Sequence, residues 1–174
     1  MSFFLTTSHK PSKRTRTFVN ELSSIIPRAR RDNRGKKSLE QLFMLARELG
    51  TGRVLIIAES HGNPGKISGY LRDSNGSFDW SFDWIIRKVE LRFETKISKT
   101  PLKFTKLCFK FSDTHPDIQN SIMTFFAPVV QPVQPSEETL ELTILHGQDG
   151  FVVDPVGTNP KIYLSEILLP RKEN

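Results

Sequence analysis

RVLIIAES, residues 53–60, is a short unbroken apolar run opened by a cation and closed by Glu59 and Ser60. Its length and its lack of a 3.6-residue period suit a strand buried on both faces. What stands on either side of it decides the fold class. Immediately upstream, Leu39 to Leu49 has helical patterning, with Ser38 and Gln41 spaced as a capping box and Gly50 as a stop. Further upstream, Ser12 to Ile26 predicts a second helix, with Ser12 as N-cap and Pro27 at its end. Phe18, Leu22, Ile25 and Ile26 share one face of it, and Lys13, Arg16 and Asn20 the other. Between the two helices RARRDNRGKK, residues 28–37, reads as a polar loop centred on Asn33 and Gly35.

Downstream the periodicity changes from 3.6 to 2. GNPG at 62–65 reads as a turn, and the tandem SFDWSFDW at 77–84 alternates Phe78, Trp80, Phe82 and Trp84 with polar residues. This predicts a strand with one aromatic face. The apolar set then moves from even to odd positions, to Val89, Leu91 and Phe93, which requires a turn or bulge near Ile85 to Arg87. A further strand is expected through Leu107, Phe109 and Phe111, and a helix from Pro116 to Phe126 with His115-Pro116-Asp117 as its N-terminal signal. The proline-rich stretch APVVQPVQPSEE, 127–138, reads as a loop or linker. Three closing strands follow near Leu140–Leu145, Phe151–Val153 and Ile162–Leu168. The expectation is an α/β or α+β fold of two related halves, residues 1–98 and 99–174, within one domain.

Charge is distributed unevenly along this pattern. Residues 1–40 hold ten Lys and Arg against three Asp and Glu, a net +7, whereas residues 41–174 sum to −1. A field concentrated in this way attracts a polyanion. Lys13, Arg14 and Arg16 also crowd the first turns of a helix, where the dipole disfavours cations. A phosphate at that helix N-terminus would offset the penalty by accepting its free N–H groups and pairing with the side chains. Ser8 and Ser12 flank the same point.

No catalytic or metal-binding constellation is visible. His9, His61, His115 and His146 stand in separate segments without ligand spacing, and GNPGK lacks the spacing of a nucleotide-binding loop. Lys66 and that loop's amides are candidates for an RNA phosphate. Asp79 and Asp83 on one strand face lie roughly 13 Å apart, too far to share a ligand. The single cysteine, Cys108, cannot form an internal disulfide. No stretch approaches the ~20 apolar residues of a membrane span. The expectations are a cytoplasmic, non-enzymatic protein with no cofactor, no small-molecule substrate and no membrane partner. The aromatic strand is expected to be core, with a base-stacking platform as the alternative.

The segment TTSHKPSKRTRTFVNELSSIIPRARRDNRGKKSLEQL, residues 6–42, with the later GNPGK, resembles the Brix-domain family of ribosome-biogenesis proteins. The resemblance is strongest over residues 5–66, and the second half is similar only in pattern. His9 stands where an arginine is common in the family. The resemblance implies two similar α/β halves, like the anticodon-binding domain of class II aminoacyl-tRNA synthetases, in a compact archaeal form. It further implies action in ribosomal RNA processing and subunit assembly without catalysis. The family motif falls on Thr7, Ser8, Lys10, Pro11, Ser12, Arg14 and Arg16. Joined to the basic residues, it makes Ser8, Lys10, Ser12, Lys13, Arg14 and Arg16 the expected RNA contacts at the first helix. Arg28, Arg30, Arg31, Arg34, Lys36 and Lys37 are the contacts expected between the helices, with Lys66 beyond them. The expected partners are ribosomal RNA or its precursor and other assembly proteins. The competing reading is a protein-interaction module whose RNA contact is incidental; a transfer-RNA-binding domain rests on fold analogy alone.

Overall fold

The computed structural model describes residues 2–95, 104–130 and 138–171. Residues 131–137 of the proline-rich stretch and the expected boundary between the halves at 98/99 lie outside them.

One sheet, nine-stranded among the described residues, organises the fold in the order β2-β1-β3-β4-β5-β9-β8-β7-β6. The first half runs β1 (Phe3–Thr7), α1 (Lys13–Ile25), β2 (Ala29–Arg31), α2 (Leu39–Glu48), β3 (Arg53–Ser60), β4 (Asn63–Arg72) and β5 (Phe78–Glu90). After a single turn, α3 (Arg92–Thr95), the second half runs β6 (Lys106–Ser112), α4 (Pro116–Phe126), β7 (Thr139–Gly147), β8 (Gly150–Pro155) and β9 (Lys161–Leu168). The halves correspond in topology. In each, a first strand lies parallel to a later one, β1 to β3 and β6 to β7, and an antiparallel meander follows. They join through antiparallel β5 and β9 at the sheet centre. The fold is therefore the mixed α/β arrangement of two similar halves expected from the sequence.

Both sheet faces of the first half carry helices, because β1 and β3 are apolar on both sides. Phe3, Leu5, Leu55 and Ile57 face α1 and α4, while Phe4, Val54 and Ile56 face Leu42 and Ala46 of α2. The larger core closes on aromatics: Phe3 stacks on Phe126 at 5.4 Å, and Phe82 meets Phe125 edge-on at 4.9 Å. Among the described residues of the second half, only one face carries a helix. The other is solvated, and two of its lysines pair in place: Lys110 with Glu141 at 2.8 Å, and Lys161 with Asp154 at 2.6 Å.

The helix expectations match closely. Ser12 caps α1 by accepting the Thr15 N–H, Ser38 and Gln41 form the capping box of α2, and His115 Nδ1 accepts the Asp117 N–H at the start of α4. The bulge required near Ile85 to Arg87 is also present, since the β5–β9 register shifts on both sides of Ile86.

Four expectations need correction. The 28–37 segment is not wholly loop: Ala29–Arg31 pair parallel to β1 as an edge strand. GNPG is not the turn, because β4 already begins at Asn63; the chain reverses one step earlier, at His61 (φ 49°) and Gly62 (φ 77°). Positive φ at both central residues matches the twist of a tight hairpin. The tandem aromatics do not share a face. A bulge between Gly69 and Tyr70 shifts the register, so Phe82 and Trp84 join the large core while Phe78 stacks on Phe43 of α2 at 4.9 Å. Gly69 is needed there, since an added Cβ would stand 2.5 Å from the Phe82 ring. Phe93 leaves the strand pattern altogether, lying in α3 and 68% exposed.

Candidate nucleic-acid interface

The parallel trio β2-β1-β3 places the basic segments. β1 leads into α1 on one face of the sheet and β2 leads into α2 on the other, so the loops at 8–12 and 32–38 part company beside the carboxyl ends of two neighbouring strands. Such a point, where successive connections diverge to opposite faces, leaves a crevice that open α/β sheets use for ligands. Here both walls are basic. Ser8, Lys10, Ser12 and Lys13 come from the first loop and helix start, and Arg34, Lys36 and Lys37 from the second.

Short-range bonds hold the walls. The Ser8 N–H donates to Ile57 O at 2.7 Å, extending β1 along β3, and the Asp32 N–H donates to Leu5 O at 3.1 Å, extending β2 along β1. His9 Nδ1 lies 3.0 Å from Gly35 O, which ties one loop to the other. The second loop is braced internally: Lys37 Nζ reaches Asp32 at 3.3 Å and Asn33 O at 3.0 Å, and Arg34 Nε donates to Lys37 O at 3.2 Å. Gly35 has φ of +57°, a conformation that costs a side-chain-bearing residue more than glycine.

The expected residues separate into groups. Lys10, Lys13, Arg16 and Lys36 are exposed, as are Arg30 and Arg31 on the edge strand β2. Arg28 is exposed but lies at the amino end of that strand, where its carbonyl accepts the Phe3 N–H, so it stands away from the crevice. Lys66 pairs with Asp83 of β5 at 3.2 Å. Arg14 is engaged within the protein, its guanidinium bound to both Glu94 oxygens and the Val89 carbonyl. Among the described residues, only Arg14 and Lys37 of the ten N-terminal cations form ion pairs. The remaining eight form no ion pair among the described residues.

The anion at the N-terminus of α1 belongs to the protein. Glu59, from the end of β3, accepts the Ser12 backbone N–H at 2.5 Å and the Thr15 hydroxyl at 3.0 Å. The bonds from Ser12 hold its carboxyl below the usual range. The offset that the crowded cations demand is therefore supplied internally, and a phosphate is not needed to explain it. The sequence reasoning missed Glu59 because nothing local marks it; only the parallel pairing of β1 with β3 carries it to Ser12.

Among the described residues, no three His, Cys, Asp or Glu side chains converge as a metal site, and no helix is long and apolar enough to cross a membrane.

No family model matches the chain. Curated relatives do. A "Probable Brix domain-containing ribosomal biogenesis protein" of Methanothermobacter thermautotrophicus is 39% identical over 110 residues, covering 60% of this chain and 66% of the relative. A protein of the same description from Aeropyrum pernix is 38% identical over 92 residues, 53% of this chain and 51% of the relative. The match to one from Pyrococcus horikoshii, at 44% identity, covers 37% of this chain and 29% of the relative. The chain thus spans about half or less of these last two relatives. The crystal structure of a "probable ribosomal biogenesis protein" from Aeropyrum pernix K1 superposes with a TM-score of 0.75 at 26% identity, covering 99% of this chain and 97% of that one. Mil, described as an archaeal Imp4-like protein, superposes with a TM-score of 0.66 at 25% identity, covering 96% and 99%. On these relatives and superpositions, the chain belongs to the Brix-domain family of ribosomal biogenesis proteins.

Proposed function

We propose that this protein is a non-catalytic assembly factor that binds ribosomal RNA or its precursor in the cytoplasm, during RNA processing and subunit assembly. The observation that carries the reading is the convergence of two basic loops at the crevice beyond β1 and β2, with eight N-terminal cations unpaired among the described residues. Phosphates would be held by Lys10, Lys13 and Lys36, with Arg16, Arg30 and Arg31 extending the track along α1 and the sheet edge. Backbone contacts of this kind fix position without reading sequence. Arg14 organises the site instead of contacting RNA.

The protein-interaction reading draws on the second half, where Lys110 and Lys161 on the solvated sheet face are paired with Glu141 and Asp154 and residues 41–174 carry no net positive charge. An assembly partner is the fitting occupant there. The two readings coexist on opposite ends of one sheet.

The test compares wild type with a variant carrying Lys13, Arg16, Arg30 and Arg31 changed to Glu, binding a ribosomal RNA fragment and a transfer RNA across a salt series. Each phosphate neutralised contributes roughly 0.7–0.9 to the slope of log affinity against log salt. The expected result is tighter binding to the ribosomal fragment and a much shallower slope in the variant, with circular dichroism unchanged. Equal weak binding by both proteins would leave the interaction reading in possession.

A further inference from the structure

A second polar cleft lies beside α1, between the β3–β4 hairpin and β5, and two bulges open it. In β4 the register against β3 shifts between Ala58 and Glu59, leaving Gly65 without an opposite number; in β5, Arg87 is the residue skipped in the pairing with β9. Pairing between β4 and β5 ends at Lys66 and Ile85, and the strands splay beyond it. Arg14 meets the gap from α1. The resulting cavity measures about 360 Å³.

Its lining is one-sided in charge. Arg14, Arg87 and Lys88 contribute cations, His61 and Asn63 polar groups, and among the described residues no carboxylate lines it. The acids that pair with these cations, Glu94, Asp149 and Glu90, are not among the lining residues. The Arg87 pair is long, at 3.8 Å, and Asp149 is 82% exposed, so it holds Arg87 weakly. Pro64, Ile86 and Val89, all largely buried, are its apolar lining residues. A lone phosphate would use only the cationic part. The volume falls in the range of roughly 300–1,000 Å³ typical of small-molecule sites. Bulges frequently re-aim a side chain next to a functional site, and here two of them face one cavity.

We propose that this cleft holds one ribonucleotide unit, its phosphate against Arg87 and its nucleoside against Pro64 and Ile86. The polymer that supplies it is the RNA of the proposed function, so that identity rests on that reading; the site itself does not.

The test is amide NMR of the intact protein titrated with uridine 5′-monophosphate, adenosine 5′-monophosphate and, separately, inorganic phosphate. Saturable shifts at His61, Gly65 and Lys88 with the nucleotides are expected, weakened at least tenfold in Arg87→Glu, a surface change that leaves the melting temperature in place. His61→Ala gives a second, milder variant should the first disturb the strand. Identical responses to inorganic phosphate alone would overturn the nucleotide assignment, and no response at these amides would overturn the site. A short RNA tested with a 5′-phosphate and with a 5′-hydroxyl separates the sources: stronger cleft shifts with the phosphate mean a chain end, and equal shifts an internal nucleotide. In the quadruple Glu variant, loss of RNA binding with the mononucleotide response intact separates the crevice from the cleft. RNA binding by wild type with silent cleft amides would sink this proposal and leave the crevice standing.

Discussion

Glu59 and Ser12 meet across 47 residues of sequence, the carboxylate accepting the Ser12 backbone N–H at 2.5 Å while the Thr15 hydroxyl donates to the same oxygen at 3.0 Å. The end of β3 thereby caps α1, and the helix start is neutralised from within. The carboxyl is held below its ordinary value of 4.5, first by the Ser12 backbone bond. A depressed carboxyl contributes stability that is present above the unfolded value and disappears as pH falls through the folded one. Glu59→Gln is therefore expected to melt below wild type at pH 7 and to converge with it in acid. Parallel pH profiles of the two proteins in thermal denaturation would contradict this.

Glu21 carries the opposite sign. It lies 9% exposed on α1 and accepts the Arg92 N–H with both oxygens at 3.0–3.1 Å, but burial outweighs these bonds and pushes its carboxyl above 4.5. A raised carboxyl favours the folded state below the unfolded value, and that contribution is lost as pH rises through the folded one. Glu21→Gln keeps an acceptor for Arg92 and removes the buried charge. It is expected to be more stable than wild type at neutral pH, with the difference closing in acid. A loss of stability at pH 7 would show that the Arg92 bonds need the full charge.

The contrast between these two carboxylates shows what the sequence can tell. Both sit in amphipathic or strand patterns that were readable: α1, α2, α4 and β3 are marked by caps and periodicity, and the bulge in β5 by the parity switch after Trp84. Unreadable were features created by pairing between distant segments. FFLTT and ARR are too short to announce themselves as strands, yet their parallel pairing with β3 and β1 makes the crevice. The split of the tandem aromatics depends on Gly69 opposite Phe82, a register fact invisible in the alternation itself. The basic residues were legible as a group from charge alone, whereas which of them face solvent depended on tertiary acids such as Glu94.

Arg53 shows the same dependence in the core. From β3 it donates to Phe125 O and, at 3.3 Å, to Thr124 O, the closing carbonyls of α4 in the other half. Only 8% exposed, it places a cation on the negative end of that helix. Hydrogen bonds to charged groups contribute roughly 1.5–3 kcal/mol, so Arg53→Ala is expected to cost about 2–4 kcal/mol in urea denaturation. Arg53→Lys should recover only part, because an ammonium lacks the planar fork. A cost below about 0.5 kcal/mol for the alanine variant would mean that α4 finds another cap.

Lys13 and Arg14 are neighbours with opposite fates, and a pair of charge reversals distinguishes them. Lys13 is exposed at the first position of α1, where an acid suits the helix dipole better than a base. Lys13→Glu is expected to retain or slightly raise the melting temperature while weakening RNA binding and lowering the salt slope by about 0.7–0.9, the share of one phosphate. Arg14 holds Glu94 and Val89, with its side chain about one third exposed. Arg14→Glu would set two carboxylates face to face and is expected to cost on the order of 1–2 kcal/mol of stability. If instead Lys13→Glu unfolds the protein while Arg14→Glu is silent in melting and abolishes RNA binding, the assignment of contact and scaffold within the basic helix is reversed.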